Sequence, residues 1–207
     1  IQNKKYTWYT SGYKRLEDIG PYVTGVGVVL KNDWLNYIID IEPINDRIMT
    51  ITFAGTLPTT FICNYSPTAK AAPEEKEEHY NTLKQTQRKH QSKGPTYTLG
   101  DFNARVQKNQ SESEAPVGNH TFDKNNTKTQ EENVRESREL FIAHCMETDC
   151  KIMNTFFEKP DEKLMTHREN FTNRDPPYKR GAYETLDYII TPNRWKNTIT
   201  DVEADKD

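Results

Sequence analysis

The sequence is poor in the residues that build a disulfide scaffold, a thiolate metal site or a membrane span. Its three cysteines, Cys63, Cys145 and Cys150, are odd in number and form no Cys-x-x-Cys pair. Neither a disulfide framework nor a zinc-thiolate site is indicated, and a reducing compartment is expected. No stretch approaches the roughly 18 consecutive apolar residues of a membrane helix. The N-terminus lacks the charged-then-apolar pattern of a secretory signal. Together these absences predict a soluble, intracellular protein, nuclear or cytoplasmic, with no membrane partner. An excess of one charge is missing too: 28 Lys and Arg against 31 Asp and Glu leave a net charge of -3. That is too little for the broad positive field of a strong non-specific DNA binder, so any attraction to nucleic acid must be local.

Only 33% of the residues are hydrophobic, but the small net charge argues against disorder, and 11 Tyr, 8 Phe and 3 Trp supply large areas to bury. At 207 residues the expectation is one monomeric domain over 1–207 with long polar loops. The chain opens at Ile1 rather than Met and stops in a charged run at Asp207, so a fragment truncated at both ends is expected.

From Thr24 to Tyr65 short β-branched and aromatic runs alternate with turn residues: Thr24–Leu30, Tyr37–Ile41, Arg47–Phe53 and Thr59–Tyr65. Their pattern predicts an antiparallel meander. A helix is predicted from Pro73, because Glu74, Glu75, Glu77 and Glu78 crowd its first turns and Lys84, Arg88 and Lys89 its last, in the order the helix dipole favours. Tyr80 and Leu83 mark its buried side, and Gly94-Pro95 ends it before a strand at Thr96–Leu99. Residues 108–128 have loop composition. Val134, Phe141 and Cys145 recur at helical spacing between about Glu131 and Thr148. Strands are predicted at Lys151–Phe157, Lys163–His167 and Thr185–Ile190. The alternation of strands with helices predicts a mixed α/β layered sandwich.

Strand Thr96–Leu99 runs into Gly100-Asp101-Phe102-Asn103-Ala104. If the extended chain continues, Asp101 and Asn103 leave one face while Phe102 points into the core. A carboxylate beside an amide can hold a metal or a water and orient a phosphate oxygen, a workable pair for hydrolysing a phosphodiester. Equally, both side chains can serve a plain Asp-x-Asn turn. Asp187 lies in the apolar stretch Leu186-Asp-Tyr-Ile-Ile190, where a carboxylate needs a cationic, histidine or metal partner unless it stands at an exposed strand end. Tyr65 ends an apolar strand before Ser66-Pro67-Thr68, which brings its phenol to the rim.

Thr24-Gly-Val-Gly-Val-Val-Leu30, Asn64-Tyr-Ser-Pro-Thr68, Leu99-Gly-Asp-Phe-Asn-Ala104, Asn154-Thr-Phe-Phe157 and Leu186-Asp-Tyr-Ile-Ile190, in that order, resemble the endonuclease/exonuclease/phosphatase superfamily. With Arg194-Trp-Lys-Asn197 and Asp201-Val-Glu203 the chain is most similar to the endonuclease domain of non-LTR retrotransposons and the related craniofacial development protein 2-like sequences. The resemblance implies a DNase I-like α/β fold: two packed, mostly antiparallel β-sheets flanked by helices as a four-layer sandwich, with strand-end loops converging on one cleft. It implies hydrolysis of a phosphodiester, usually with Mg²⁺ or Mn²⁺, in DNA, with a reverse transcriptase domain in the same parent polypeptide as a partner. By resemblance Asp101 orients or deprotonates the attacking water, Asn103 holds a phosphate oxygen, and both stand near the metal. Tyr65 hydrogen-bonds the phosphate, Asp187 orients a catalytic histidine, and Thr166 faces the phosphate.

The pattern is also departed from. The family's metal-binding Glu belongs on a strand upstream of Ile1, and Glu17 stands in another context; the catalytic His belongs in a Ser-Asp-His segment after Asp207. His79, His90, His120, His144 and His167 all stand outside that motif, and a further Asn has no single equivalent among Asn125, Asn126 and Asn133, with Ser137 competing. The chain by itself is therefore expected to lack activity. For nucleic-acid contact the local candidates are Arg168, Arg174, Lys179 and Arg180, interleaved with Phe171, Tyr178 and Tyr183, a composition suited to phosphate contact and stacking or to a solvated mixed-charge loop. A same-fold phosphodiesterase for small phosphoesters and a decayed, non-catalytic copy that binds nucleic acid or protein are the alternative readings.

Overall fold

The computed structural model describes residues 5–12, 25–107, 114–122, 131–168 and 183–205. Arg174, Lys179 and Arg180 lie outside the described residues, as do Glu17, Asn125 and Asn126. Ten strands are described: β1 (Tyr6–Thr10), β2 (Gly27–Lys31), β3 (Ile38–Pro43), β4 (Ile48–Phe53), β5 (Thr59–Tyr65), β6 (Thr96–Asp101), β7 (Cys150–Ile152), β8 (His167–Arg168), β9 (Tyr183–Glu184) and β10 (Asp187–Pro192). Two helices, α1 (Pro73–Gln91) and α2 (Glu132–Glu147), stand with them.

Six strands form one sheet in the order β3-β4-β5-β6-β10-β7, and β1-β2 and β8-β9 form two-stranded ladders. Only the β5–β6 pair is parallel, because α1 carries the chain back across the sheet between them. Period-two alternation splits the strands cleanly. Thr60, Asn64 and Thr98 reach His90, His79 and Gln87 of α1, so their face is the helix side. Ile48, Ile62, Tyr188 and Ile190 join Leu83 of α1 and Phe141, Ile142 and Cys145 of α2 in the core on that side. Phe102 is 1% exposed and stacks on Phe141 with ring centroids 4.4 Å apart, as its inward orientation predicts. Helix α1 begins with Pro73 in its first turn and keeps Glu74 and Glu75 at one end and Arg88, Lys89 and His90 at the other. Lys76 of α1, nearly fully buried, pairs with Glu136 of α2 at 2.6 Å.

The other face of the large sheet looks toward β2. Phe53, Phe61 and Tyr97 run across it as an aromatic ladder that Trp34 extends. Between this face and Val28, Val29 and Leu30 of β2 lies a cavity of about 570 Å³. The three cysteines are free and buried, and burial pushes Cys63 up to about 11 and Cys150 up to about 12, so they act as apolar fill rather than nucleophiles. No helix among the described residues is long and apolar enough to cross a membrane.

Three sequence-based expectations are corrected. Tyr6–Thr10 is a strand that the reading passed over, and it takes β2 out of the meander into a separate ladder, so only β3-β4-β5 remain a meander. Lys151–Phe157 is a strand only to Ile152. After that Met153–Phe156 turns as a 3-10 helix, because Thr155 Oγ1 donates to the Ile152 carbonyl and Asn154 spends its amide on β10. Lys163–His167 opens as a 3-10 turn over Asp161–Lys163, and strand pairing there begins only at His167.

Candidate active site

Gly100 is where the β6 backbone comes closest to β5. Its φ is +139°, and a Cβ there would sit 2.0 Å from the Asn64 carbonyl oxygen, so only glycine fits. The parallel register then sets Tyr65 beside Asp101, and the antiparallel register of β10 sets Asp187 directly opposite Asp101. Odd positions of β5 and β6 face away from the helices, and cross-strand partners share a face. Tyr65, Asp101 and Asp187 therefore form one row on three adjacent strands, spaced about 4.8 Å apart.

Asn103 reaches this row by a different route from the one its spacing suggests. The strand ends at Asp101 and Asn103 adopts a left-handed φ of 47°. Its N–H donates to Asp101 Oδ1 at 2.7 Å, and its Nδ2 donates to the Ser66 carbonyl at 2.8 Å. The turn reading holds, and the Asx-type turn is what carries the amide to the side of Asp101 where Ser66 follows Tyr65.

A buried network props this turn from the helix side. His79 Nε2 lies 2.9 Å from Asn64 Oδ1 and 3.2 Å from Ser66 Oγ. Asn64 Nδ2 donates to Ser66 Oγ at 3.0 Å and toward the Asp101 carbonyl at 3.4 Å. An amide oxygen only accepts, so the proton of His79 sits on Nε2 and Nδ1 is left bare and buried. Burial, with Arg47 adding to it, lowers His79 to about 4.

Burial also raises the Asp101 carboxyl, and the facing Asp187 pushes it further, while the Asn103 N–H and the nearby His167 pull it back. On β10, Thr166 Oγ1 accepts the N–H groups of Leu186 and Asp187 at 3.0 and 3.1 Å, which occupies both its lone pairs and leaves its O–H free to donate elsewhere. Asn154 clamps the same strand, accepting the Ile189 N–H at 2.8 Å and donating to the Asp187 carbonyl at 3.3 Å. Arg168 is exposed at the outer end of the short β8–β9 ladder.

Of the candidates within the described residues, Tyr65, Asp101, Asn103 and Asp187 come together, with Thr166 bonded to the Asp187 backbone. His79, Asn64, Asn154 and His167 were not singled out for the site by the sequence. Asn64 and Asn154 stood in the quoted motifs, but a polar residue inside an apolar strand, the signal at Asn64, has no partner until α1 is placed.

No family model matches the sequence, and none of the curated proteins does. Solved structures do match by shape. The 3' phosphatase NExo from Neisseria, as a variant bound to product DNA hairpin, superposes with a TM-score of 0.61 over 95% of this chain and 70% of that one, at 17% identity. An endonuclease/exonuclease/phosphatase family protein from Leptotrichia buccalis C-1013-b overlaps more loosely, with a TM-score of 0.42 over 92% of this chain and 50% of that one, at 12% identity. Six-stranded sheet, facing two-stranded ladder and flanking helices together make this the DNase I-like fold of the endonuclease/exonuclease/phosphatase proteins.

Proposed function

We propose that the chain carries the strand-end half of a metal-dependent phosphodiester hydrolase site, from a DNA endonuclease domain that nicks one strand and accompanies a reverse transcriptase in a retroelement polypeptide. The observation that carries this reading is the row Tyr65, Asp101 and Asp187, with Asn103 turned in beside it. The Neisseria protein of the same fold is named a 3' phosphatase and is bound to a DNA product, which supports DNA as the substrate.

The donors suit a hard cation. No group of three or more His, Cys, Asp and Glu that could hold a metal exists among the described residues. Mg²⁺, however, needs only one or two carboxylates, completing its shell with water and phosphate oxygens. Asp101 and the Asn103 amide oxygen fit that requirement, and they fit Mn²⁺ equally, while Asp187 would orient the catalytic histidine. When bound, such an ion offsets the negative charge that gathers on the phosphate oxygens. In this reading Asp101 orients the attacking water and accepts its proton. Asn103 and the Tyr65 hydroxyl hold phosphate oxygens, and the Thr166 O–H adds a further donor.

The test is nicking of supercoiled plasmid with Mg²⁺ by a polypeptide in which a metal-binding Glu strand precedes this sequence and a Ser-Asp-His segment follows it. Asp101→Ala is expected to lower the rate by about 100-fold or more. Nicking that survives this change intact refutes the assignment. Turnover of a small phosphoester with DNA left whole moves the reading to the alternative substrate class.

A further inference from the structure

The row does not stop at Tyr65. In the β4–β5 hairpin Ile48 pairs with Asn64, and one step further the Tyr65 N–H donates to the Arg47 carbonyl at 2.9 Å. Arg47 immediately precedes β4, and its side chain reaches both the Tyr65 ring and Glu75 in the first turn of α1. Its guanidinium carbon lies 5.2 Å from the centroid of the Tyr65 ring. Along the strand ends the order is cation, phenol, carboxylate, carboxylate: Arg47 just before β4, then Tyr65, Asp101 and Asp187.

Building on the phosphodiesterase reading above, we propose that Arg47 is a substrate-binding residue that holds a second phosphate, next along the polymer from the one at Asp101 and Asn103, and so selects a polynucleotide over a small phosphoester. Asp101 and Arg47 are two strand spacings apart, roughly 10 Å. An ester with one phosphate seated at the carboxylates leaves that guanidinium untouched, whereas a chain with a phosphate on every nucleotide meets it. The side chain is also supplied for such a contact. Nη2 bonds Glu75 Oε1 at 3.1 Å, and Nε and Nη1 have no partner among the described residues. Five donors on a planar fork suit phosphate oxygens. The Glu75 pair is half exposed, with side-chain exposures of 28% for Arg47 and 48% for Glu75, so it holds the fork in place without locking it away from an anion. The contact with the Tyr65 ring helps to hold the guanidinium in place.

Position within the row explains why this cation is needed. Asp101 and Asp187 repel an approaching phosphate backbone, and the chain as a whole is mildly acidic. Attraction therefore has to come from single cations placed at the row's ends. Arg168 stands on the ladder that precedes β10, and Arg47 stands beside Tyr65.

The experiment is fluorescence anisotropy of a labelled DNA duplex with the 207-residue chain, with Ca²⁺ present, from about 50 to 200 mM salt. Arg47→Ala is expected to weaken binding about tenfold at the low end and to reduce the slope of log affinity against log salt by about 0.9, the loss of one phosphate contact. Arg47→Lys keeps the charge and is expected to keep the slope. Tyr65→Phe keeps the ring under Arg47 and is expected to keep it too. An unchanged slope in Arg47→Ala overturns the proposal, since a residue that only props Tyr65 lowers affinity equally at every salt concentration; failure of the parent chain to bind overturns it as well. The hydrolase reading falls by a different result, nicking that survives Asp101→Ala, so the two failures are distinguishable.

Discussion

The two faces of the six-stranded sheet are built from alternate residues of the same strands, yet they have opposite characters. On the helix side Ile48, Ile62 and Ile190 are fully buried, Thr60, Thr98 and Asn64 are hydrogen-bonded to α1, and α1 and α2 close over them. On the other side the aromatic ladder borders a cavity of about 570 Å³, and Val29 across it is 54% exposed. The candidate site sits at the end of that second, more open face. Dense packing gathers stability on one side and leaves the chemistry-bearing side chains reachable on the other. The network of Asn64, Ser66 and His79 is the one that links them, passing from α1 to the Asp101–Asn103 turn.

That contrast can be broken most forcefully at Phe141, fully buried between Phe102 and Tyr188. Phe141→Ala is expected to cost about 3 to 5 kcal/mol in urea unfolding, enough to unfold a marginal domain. Next comes acid. His79 and His144 are buried neutral, with burial lowering them from 6.5 to about 4 and about 3. The unfolded chain takes up these protons at about 6.5 and the folded one does not, so stability is whole above that pH and falls as pH drops toward about 4. For His79 the gap between 6.5 and about 4 corresponds to about 3 kcal/mol. His79→Gln is expected to flatten that part of the stability curve, and an unchanged curve speaks against a neutral, buried His79. Asn154→Ala strips a half-buried acceptor from the Ile189 N–H and should cost about 1 kcal/mol by the same unfolding measurement. The smallest effect belongs to the open face: Val29→Ala is expected to stay within about 0.5 kcal/mol, and a loss comparable to that at Phe141 erases the distinction between the faces.

Legibility in the sequence followed how local each feature is. Strand β5 at Thr59–Tyr65 and both helices matched their expected bounds closely, since alternation, proline placement and charge order are properties of neighbouring residues. Where side chains took over backbone work, local reading failed. Asn154 and Thr155 turn an apolar run after three strand residues, and the Thr166 hydroxyl oxygen accepts the N–H groups of Leu186 and Asp187 at the start of β10. At the site, Tyr65, Asp101 and Asp187, which the motif order groups with Asn103, lie on neighbouring strands, but extended geometry was the wrong reason for Asn103, whose left-handed φ comes from the turn. Arg47 was visible only as the first residue of a strand. Counting outward from the 54–58 turn of the β4–β5 hairpin pairs it with Tyr65, a signal that exists once that hairpin is assumed.

The amino-acid sequence by itself determined the elements and their two-sidedness: period-two runs that separate a helix-facing set from an outward set, a glycine where β6 touches β5, and helix ends charged in the favoured order. Tertiary structure alone decided the row Arg47, Tyr65, Asp101, Asp187 and the burial of His79 beneath it. The reason is physical. Alternation depends on bonds between adjacent residues, whereas register between β4, β5, β6 and β10 depends on hydrogen bonds closed between segments far apart along the chain, and a slip of one residue would turn the same side chains to the opposite face.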